Sequence, residues 1–230
     1  MSGSAQIAQN IDWGGLTSLL LQVFAILLCL TVHETCHGLA AYALGDPTAK
    51  REHRLSLNPL RHLDPFGALM MLVAGFGWAK PVPVDMRYFK HPKSGMAVTA
   101  LAGPVSNFLM AYLSMVGYAF AYGWFVTHPA AQASAFFMGL LDFLVMLASL
   151  NVGLGIFNLI PFPPLDGSKV LGSLLPDKAY YTILRYEFFG MFLLMALLWS
   201  GALDVPLHAA RQWTMDLLLS GSEWAFRLMV

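Results

Sequence analysis

The sequence predicts an all-α polytopic membrane protein of about five to six transmembrane helices, with a re-entrant glycine-rich segment near residues 66–84. Two observations lead to this prediction. Of the 230 residues, 57% are hydrophobic and only 11% are charged, whereas an ordinary soluble domain is roughly 25% charged. The hydrophobic residues also fall in long runs that short polar loops separate. A single helical bundle is therefore expected rather than two soluble domains.

Five apolar runs and a mixed tail follow one another along the chain. The runs occupy residues 16–44, 66–78, 96–123, 134–160 and 181–200, and the tail begins near residue 205. Four of the runs reach the length of about 20 residues that a span requires. The run 66–78, FGALMMLVAGFGW, has only 13 residues and three glycines, which favours a re-entrant segment or a hairpin.

The tail differs from the rest of the chain because it mixes charged side chains with tryptophans and leucines. We therefore divide the chain into a core, residues 1–203, and a C-terminal helix, residues 204–230. This helix is either amphipathic and interfacial or a last transmembrane span.

Basic residues predict the orientation of the bundle. Eight of them flank the short run on both sides: Lys50, Arg51, Arg54, Arg61, Lys80, Arg87, Lys90 and Lys93. By the positive-inside rule, loops 45–65, 79–95 and 161–180 lie in the cytoplasm and the N-terminus lies outside. Run 66–78 must then enter and leave the membrane on the same side.

Two histidines and a glutamate interrupt the first apolar run in the stretch HETCH. His33 and His37 are four residues apart, so both imidazoles lie on one face of a helix and can reach one ion. Glu34, beside the first histidine, can contact a water molecule on that ion. The alternative, a purely polar contact between helices, would have to justify an ionisable carboxylate inside a bilayer.

A third ligand is expected on another element at the same depth. In NLIPFPPLDGSKV, residues 158–170, three prolines end a helix. Unwound backbone at membrane depth is tolerated only inside the protein or beside a wet cavity. Asp166, which follows these prolines, is therefore a candidate ligand, although a proline-rich exit loop with a solvated aspartate remains the alternative.

These motifs together resemble the site-2 protease family of intramembrane zinc metalloproteases, in its compact form without a PDZ-like or regulatory domain. The stretches LNPLRHLDPFG, GFGWAKPVPV and LAGPVSN also resemble the short bacterial and archaeal members. The resemblance implies that His33, His37 and Asp166 bind one Zn²⁺ per chain and that Glu34 is the catalytic base.

The resemblance also implies the setting of the reaction. The substrate would be a transmembrane protein cleaved within or near its span, in the lipid bilayer of a prokaryotic plasma membrane. The active site would open to the cytoplasmic side. No nucleic acid partner is expected from a chain of zero formal charge, and whether it forms a homo-oligomer stays open.

Substrate contacts are predicted at a few further positions. The segment 75–84, which contains Gly77, Lys80 and Pro81, could hold an unwound substrate by strand addition or could be a plain connector. Asn158 could hydrogen-bond the substrate or its oxyanion, or could be an ordinary helix-end residue. Asn107 could contact substrate or only a neighbouring helix. The other histidines are expected to be solvated, namely His53, His62, His91, His128 and His208.

Two other classes of protein compete with a protease. Three intramembrane ligands could mark an ion transporter or a non-hydrolytic metal-binding membrane protein. Transporters usually contain two similar halves, which this sequence does not show, and Glu34 would have no role in simple passage. A degenerate protease acting as a scaffold is disfavoured because every chemical position of the motif is filled.

Overall fold

The computed structural model describes residues 13–67, 80–132 and 134–230, and the regular elements in these ranges are helices. The α-helices are α1 (Trp13–Ala43), α2 (Thr48–Arg51), α3 (Pro92–Thr127), α4 (Pro129–Gln132), α5 (Ala135–Asn158), α6 (Asp166–Ser173), α7 (Asp177–Arg185), α8 (Glu187–Trp199) and α9 (Asp204–Arg227). Two short 3-10 helices, Pro59–Arg61 and Met86–Tyr88, lie in the loops. The prediction of an all-α membrane protein is confirmed for this part of the chain.

Three helices are long and apolar enough to cross a membrane. They are α1, over the 30 residues Gly14–Ala43, α3 with 36 residues and α5 with 24 residues. At about 1.5 Å per residue, even the shortest reaches about 36 Å, more than the ~30 Å hydrocarbon core of a bilayer. Helices α7 and α8 qualify as a fourth span only when they are taken together, and they are bent by 68°.

The described residues thus supply three or four spans, fewer than the five to six predicted. The apolar run 181–200 is divided at Tyr186, where α7 gives way to α8. Helix α9 is not among the helices apolar enough to span, because charged side chains recur along it. Most of the predicted re-entrant segment, residues 68–79, lies outside the described residues.

Identifiable residues mark the end of α1 and both ends of α5. Helix α1 ends at Ala43, and Gly45, two residues later, has a φ of 104°, which glycine adopts at little cost. Helix α5 begins at Ala135 and is capped by Ser134, whose hydroxyl accepts a hydrogen bond from the Phe137 amide. It ends at Asn158, because the three prolines that follow cannot continue a helix.

Helix α3 lies at the centre and packs against α1, α5, α6 and α9. Small side chains line its contacts, as in the cluster of Ala111 and Met115 of α3 with Ala148 and Val152 of α5. Helices in lipid associate mainly through such close packing. Many large apolar side chains remain exposed on the outer faces, as expected of surfaces that face acyl chains.

Candidate metal centre

Three buried side chains from two distant parts of the chain meet inside the bundle. His33 and His37 lie one turn apart on α1, and their Nε2 atoms are 2.9 Å apart. Asp166 Oδ2, at the start of α6, lies 3.2 Å from each of those nitrogens. The three residues are 4%, 9% and 8% exposed, so solvent contributes little to their environment.

The proline-rich turn after α5 carries Asp166 back towards α1. Gly167 makes this turn fit, because a Cβ atom there would lie 2.2 Å from the Leu159 carbonyl oxygen and 2.5 Å from that of Ile160. Only glycine allows α6 to approach the end of α5 so closely. The expectation that residues 158–170 are not one continuous helix agrees with this path.

Hydrogen bonds on the far side of each imidazole determine which nitrogen faces its neighbours. His37 Nδ1 lies 2.7 Å from the Thr99 carbonyl oxygen, which can only accept, so this nitrogen carries the proton. His33 Nδ1 lies 2.5 Å from Asn107 Oδ1, while the Asn107 amide group donates to Asn151 Oδ1 at 2.8 Å. In neutral imidazoles with this orientation, both Nε2 atoms are lone-pair acceptors, the form in which histidine binds metals.

In that form, three lone-pair atoms converge on one point, 2.9–3.2 Å from one another. Asp166 Oδ2 has no hydrogen-bond partner of acceptable geometry among the described residues, although it is buried. Such an arrangement is repulsive unless a proton or a metal cation lies between the three atoms. In a tetrahedral zinc site with bonds of 2.0–2.2 Å, ligand atoms lie about 3.3–3.6 Å apart, a few tenths of an ångström more than here. The group could hold a metal ion, and its donors suit zinc.

The backbone of α3 closes the metal site at Gly103. A Cβ atom on Gly103 would lie 2.5 Å from His37 Nε2 and 2.6 Å from His33 Cε1. The absence of a side chain at this position therefore leaves room for both imidazoles. Helix α3 supports both rings from Thr99, Gly103 and Asn107 while contributing no ligand.

Glu34 lies beside the three acceptors and not among them. Its Oε2 accepts a hydrogen bond of 2.9 Å from the Val82 amide, in the segment that precedes α3. Glu34 also faces a cavity of about 600 Å³ that runs along the metal-binding group. The other cavity-lining residues include Pro81, Val84, Met96, Leu154, Phe157, Asn158, Leu165 and Lys169.

The candidate substrate residues fall in different places. Asn158 and Pro81 line the cavity, and the Asn158 amide group donates to the Leu154 carbonyl oxygen at 3.0 Å. Lys80 is exposed beside it, and Gly77 lies outside the described residues. Asn107 is fully buried on the Nδ1 side of His33, a geometry that suits support of the ring better than contact with substrate.

Sequence reasoning missed the structural roles of two polar residues near the site. Asn151 continues the hydrogen-bond chain from Asn107, and an asparagine within an apolar run could have signalled it. His62, expected to be solvated, is only 2% exposed and lies 2.8 Å from the Ser56 carbonyl oxygen through Nε2. That expectation was wrong, because the loop around His62 folds against α1.

The segment 80–85 runs from the cavity to an ion pair at the surface. There the Arg87 guanidinium donates to both carboxylate oxygens of Asp85, at 2.9 and 3.0 Å from its Nε. These hydrogen bonds lower the pKa of Asp85 to about 2. The Asp85 carboxylate is therefore ionised in neutral solution.

Fold and site together define a membrane protein with a candidate metal-binding group buried within its helical bundle. The chain belongs to Peptidase family M50, the family of the site-2 proteases, whose sequence profile matches residues 21–198. The family and the apolar helices make it an integral membrane protein, and the family supports the function of a membrane zinc metalloprotease.

Curated relatives agree with this assignment. The chain is 40% identical over 177 residues to "Putative zinc metalloprotease YwhC" of Bacillus subtilis, which covers 76% of this chain and 78% of the relative. It is 23% identical over 218 residues to "Putative zinc metalloprotease Rip2" of Mycolicibacterium smegmatis, covering 93% of this chain and 79% of the relative. No solved structure gives a significant match.

Proposed function

We propose that this protein is an intramembrane zinc endopeptidase that cleaves membrane-protein substrates within or near their transmembrane segments, as in regulated intramembrane proteolysis. The observation that carries the proposal is the convergence of three candidate ligand atoms, 2.9–3.2 Å apart, beside a glutamate that is not one of them. A ligand set with a separate carboxylate is the arrangement that a hydrolytic metal site requires.

His33, His37 and Asp166 would hold one Zn²⁺. When bound, the ion supplies Lewis-acid activation of water and of the peptide carbonyl group. His33 lies ten residues before the end of α1 at Ala43, which is about 15 Å along the helix. The reaction would therefore take place below the membrane surface, in the half of the bilayer where α1 ends.

Glu34 is the proposed general base. The Val82 amide hydrogen bond occupies Oε2, and no described residue donates to Oε1. This second oxygen is free to take a proton from the attacking water and to return it to the leaving amine. The fixed orientation of the carboxylate lowers the entropic cost of that transfer.

The cavity beside Glu34 would receive an unwound stretch of substrate. Asn158 uses one of its two amide protons on the Leu154 carbonyl oxygen, so the other can donate to a substrate carbonyl group. The segment that contains Lys80 and Pro81 borders the same cavity and would hold the substrate backbone alongside it. These substrate contacts extend the proposal beyond the metal site.

The proposed topology places the N-terminus outside and the active site open to the cytoplasm of a prokaryotic cell. The basic residues of loops 45–65 and 79–95 support this orientation. Residues 1–203 would form the protease core, and residues 204–230 would add a peripheral helix.

Cleavage of tagged single-span proteins by detergent-purified enzyme tests the function. We expect cleavage that stops on zinc chelation, returns on zinc addition and is at least about 100-fold slower in Glu34→Gln. The competing function, a metal-binding protein or ion transporter, predicts instead that no substrate in the panel is cleaved. It also predicts that vesicles containing the protein and those containing Glu34→Gln take up zinc equally.

A further inference from the structure

Arg54 is a buried cation outside the metal site, and the mechanism above gives it no role. Its residue is only 5% exposed, and no carboxylate of the described residues lies within ion-pair distance. Instead, Nη2 donates to the Lys80 carbonyl oxygen at 2.6 Å and to that of Pro81 at 3.3 Å. Burial of a guanidinium without an anion costs free energy. The attachment of Arg54 to these two carbonyl groups therefore suggests a role for it.

The segment 80–85 that Arg54 holds is tied down at both ends. At one end, the Lys80 amide donates to the His62 carbonyl oxygen at 2.8 Å. At the other, the Asp85 amide donates at 2.7 Å to Oδ2 of Asp46, a fully buried carboxylate just beyond α1. The segment is therefore held against α1 along its whole length, although it is neither helix nor strand.

The middle of the segment has a single backbone donor. Pro81 and Pro83 have no N–H group, so the Val82 amide is the one donor from residue 81 to residue 83, and it binds Glu34 Oε2 at 2.9 Å. The Val82 side chain packs beside Gly38, where a Cβ atom would come within 3.2 Å of Val82 Cγ1. Gly38 lies one turn after Glu34 on α1. The packing of Val82 against Gly38 therefore fixes the Val82 amide beside Glu34.

The loop that carries Arg54 is itself anchored next to Glu34. Thr35, the residue after Glu34, donates its hydroxyl proton to the Ser56 carbonyl oxygen at 3.0 Å. His62 Nε2 lies 2.8 Å from the same oxygen. The loop therefore has a fixed position relative to α1. Through its hydrogen bonds to the Lys80 and Pro81 carbonyl groups, Arg54 also fixes the position of the adjoining Val82.

We propose that Arg54 is a positioning residue for catalysis: it holds the 80–82 backbone so that the Val82 amide fixes the Glu34 carboxylate and leaves Oε1 directed at the cavity. This inference rests on the proposed function of Glu34 as the base. Arg54 touches neither substrate nor metal, so its removal acts through the 80–82 backbone: it changes how often Glu34 is correctly oriented and leaves the zinc ligands in place.

The test compares Arg54→Gln and Arg54→Lys with Arg51→Gln, which removes the same charge from an exposed arginine one turn earlier. Zinc content, thermal stability, kcat and KM are measured for each purified protein. We expect Arg54→Gln to lower kcat by about 10–100-fold, with KM within about 3-fold of wild type and zinc retained. Arg54→Lys should recover part of the loss, and Arg51→Gln should match wild type.

A second pair of variants examines the amide itself. Val82→Pro removes the N–H group, whereas Val82→Ala removes most of the side chain and keeps the N–H group. We expect Val82→Pro to lose at least about 10-fold more kcat than Val82→Ala, since loss of one oriented hydrogen bond to a catalytic group has effects of this size. Equal losses in the two variants would mean that the amide does not orient Glu34, and would overturn the proposal.

Other outcomes also separate the possibilities. A wild-type kcat in Arg54→Gln would overturn the inference. A loss of zinc content and of stability together with a rise in KM would also overturn it, because that result indicates a merely structural role. If Glu34→Gln cleaves substrate at a rate within about 10-fold of wild type, the proposed function of Glu34 fails. If Glu34→Gln is inactive while Arg54→Gln and Val82→Pro behave as wild type, only the positioning role fails.

Discussion

The backbone at Gly103 packs so closely against His33 and His37 that there is no room for a side chain. Replacement of Gly103 by alanine therefore tests whether this packing is needed for metal binding. The added Cβ atom would lie 2.5 Å from His37 Cε1 and Nε2 and 2.6 Å from His33 Cε1. Both imidazoles are also held from behind, by Thr99 and Asn107 at 2.7 and 2.5 Å. Neither ring can move away without breaking a hydrogen bond.

The size of the effect follows from the displacement required. Non-bonded carbon atoms rest about 3.5–4.0 Å apart, so the rings and α3 must separate by about 1 Å. Metal–ligand distances are acceptable only within about 0.2 Å of their ideal values. Loss of a hydrogen bond that supports a metal ligand typically costs about 10–100-fold in metal affinity. We expect Gly103→Ala to weaken zinc binding by at least about 100-fold, with a matching loss of cleavage.

Competition with a chromophoric zinc chelator, followed by peptide-cleavage assays in detergent, measures both quantities. Gly117→Ala is the matched control, because it lies on the same helix and its Cβ atom would be 3.7 Å from the nearest Leu144 atom. Both changes favour the helix by about 0.5–1 kcal/mol, so only the contact differs. Wild-type zinc affinity in Gly103→Ala would refute the packing argument.

Three further predictions concern the site and the topology. Glu34→Gln should lower cleavage by about 10²–10⁴-fold with zinc retained, and metal analysis showing zinc lost along with activity would instead make Glu34 a ligand. Asp166→Asn should lose zinc and cleavage, because two neutral imidazoles then leave the Zn²⁺ site at full charge. Asp142→Asn, whose carboxylate lines a separate crevice between α3 and α5, should keep both, and equal behaviour of the two variants would contradict the assignment. Cysteine labelling should find residues 45–65 and 79–95 on one face of the membrane, opposite the N-terminus; opposite faces for the two loops would mean that 66–78 spans the membrane.

The convergence of the candidate metal ligands could be predicted in part, because the geometry of each stretch is local. Four residues make about one helical turn, so the spacing of His33 and His37 already brings their side chains together. Asp166 could be predicted because prolines end a helix wherever they occur. In both cases a short stretch of sequence determines the feature, whatever lies around it.

The surroundings of the site could not be predicted, since they depend on which faces meet. Asn107 could have faced substrate or a neighbouring helix, and only the packing of α3 against α1 places it on His33 Nδ1. Arg54 binds backbone carbonyl groups, and no pattern of side chains records such partners. The division of run 181–200 at Tyr186 was also missed, because hydropathy reports composition and not direction.

The support that α3 gives to the metal ligands has a consequence for the stability of the bundle. The ligands come from α1 and α6, and both imidazoles rest on α3, so a bound ion joins elements that lipid alone holds weakly. By thermodynamic linkage, an ion present at 100 times its dissociation constant adds about 2.7 kcal/mol to the folded state. The ion would then act as a cross-link between helices as well as a reagent. Helix α3, which carries no ligand, would be held in the bundle by the same ion, because both liganding imidazoles rest on it.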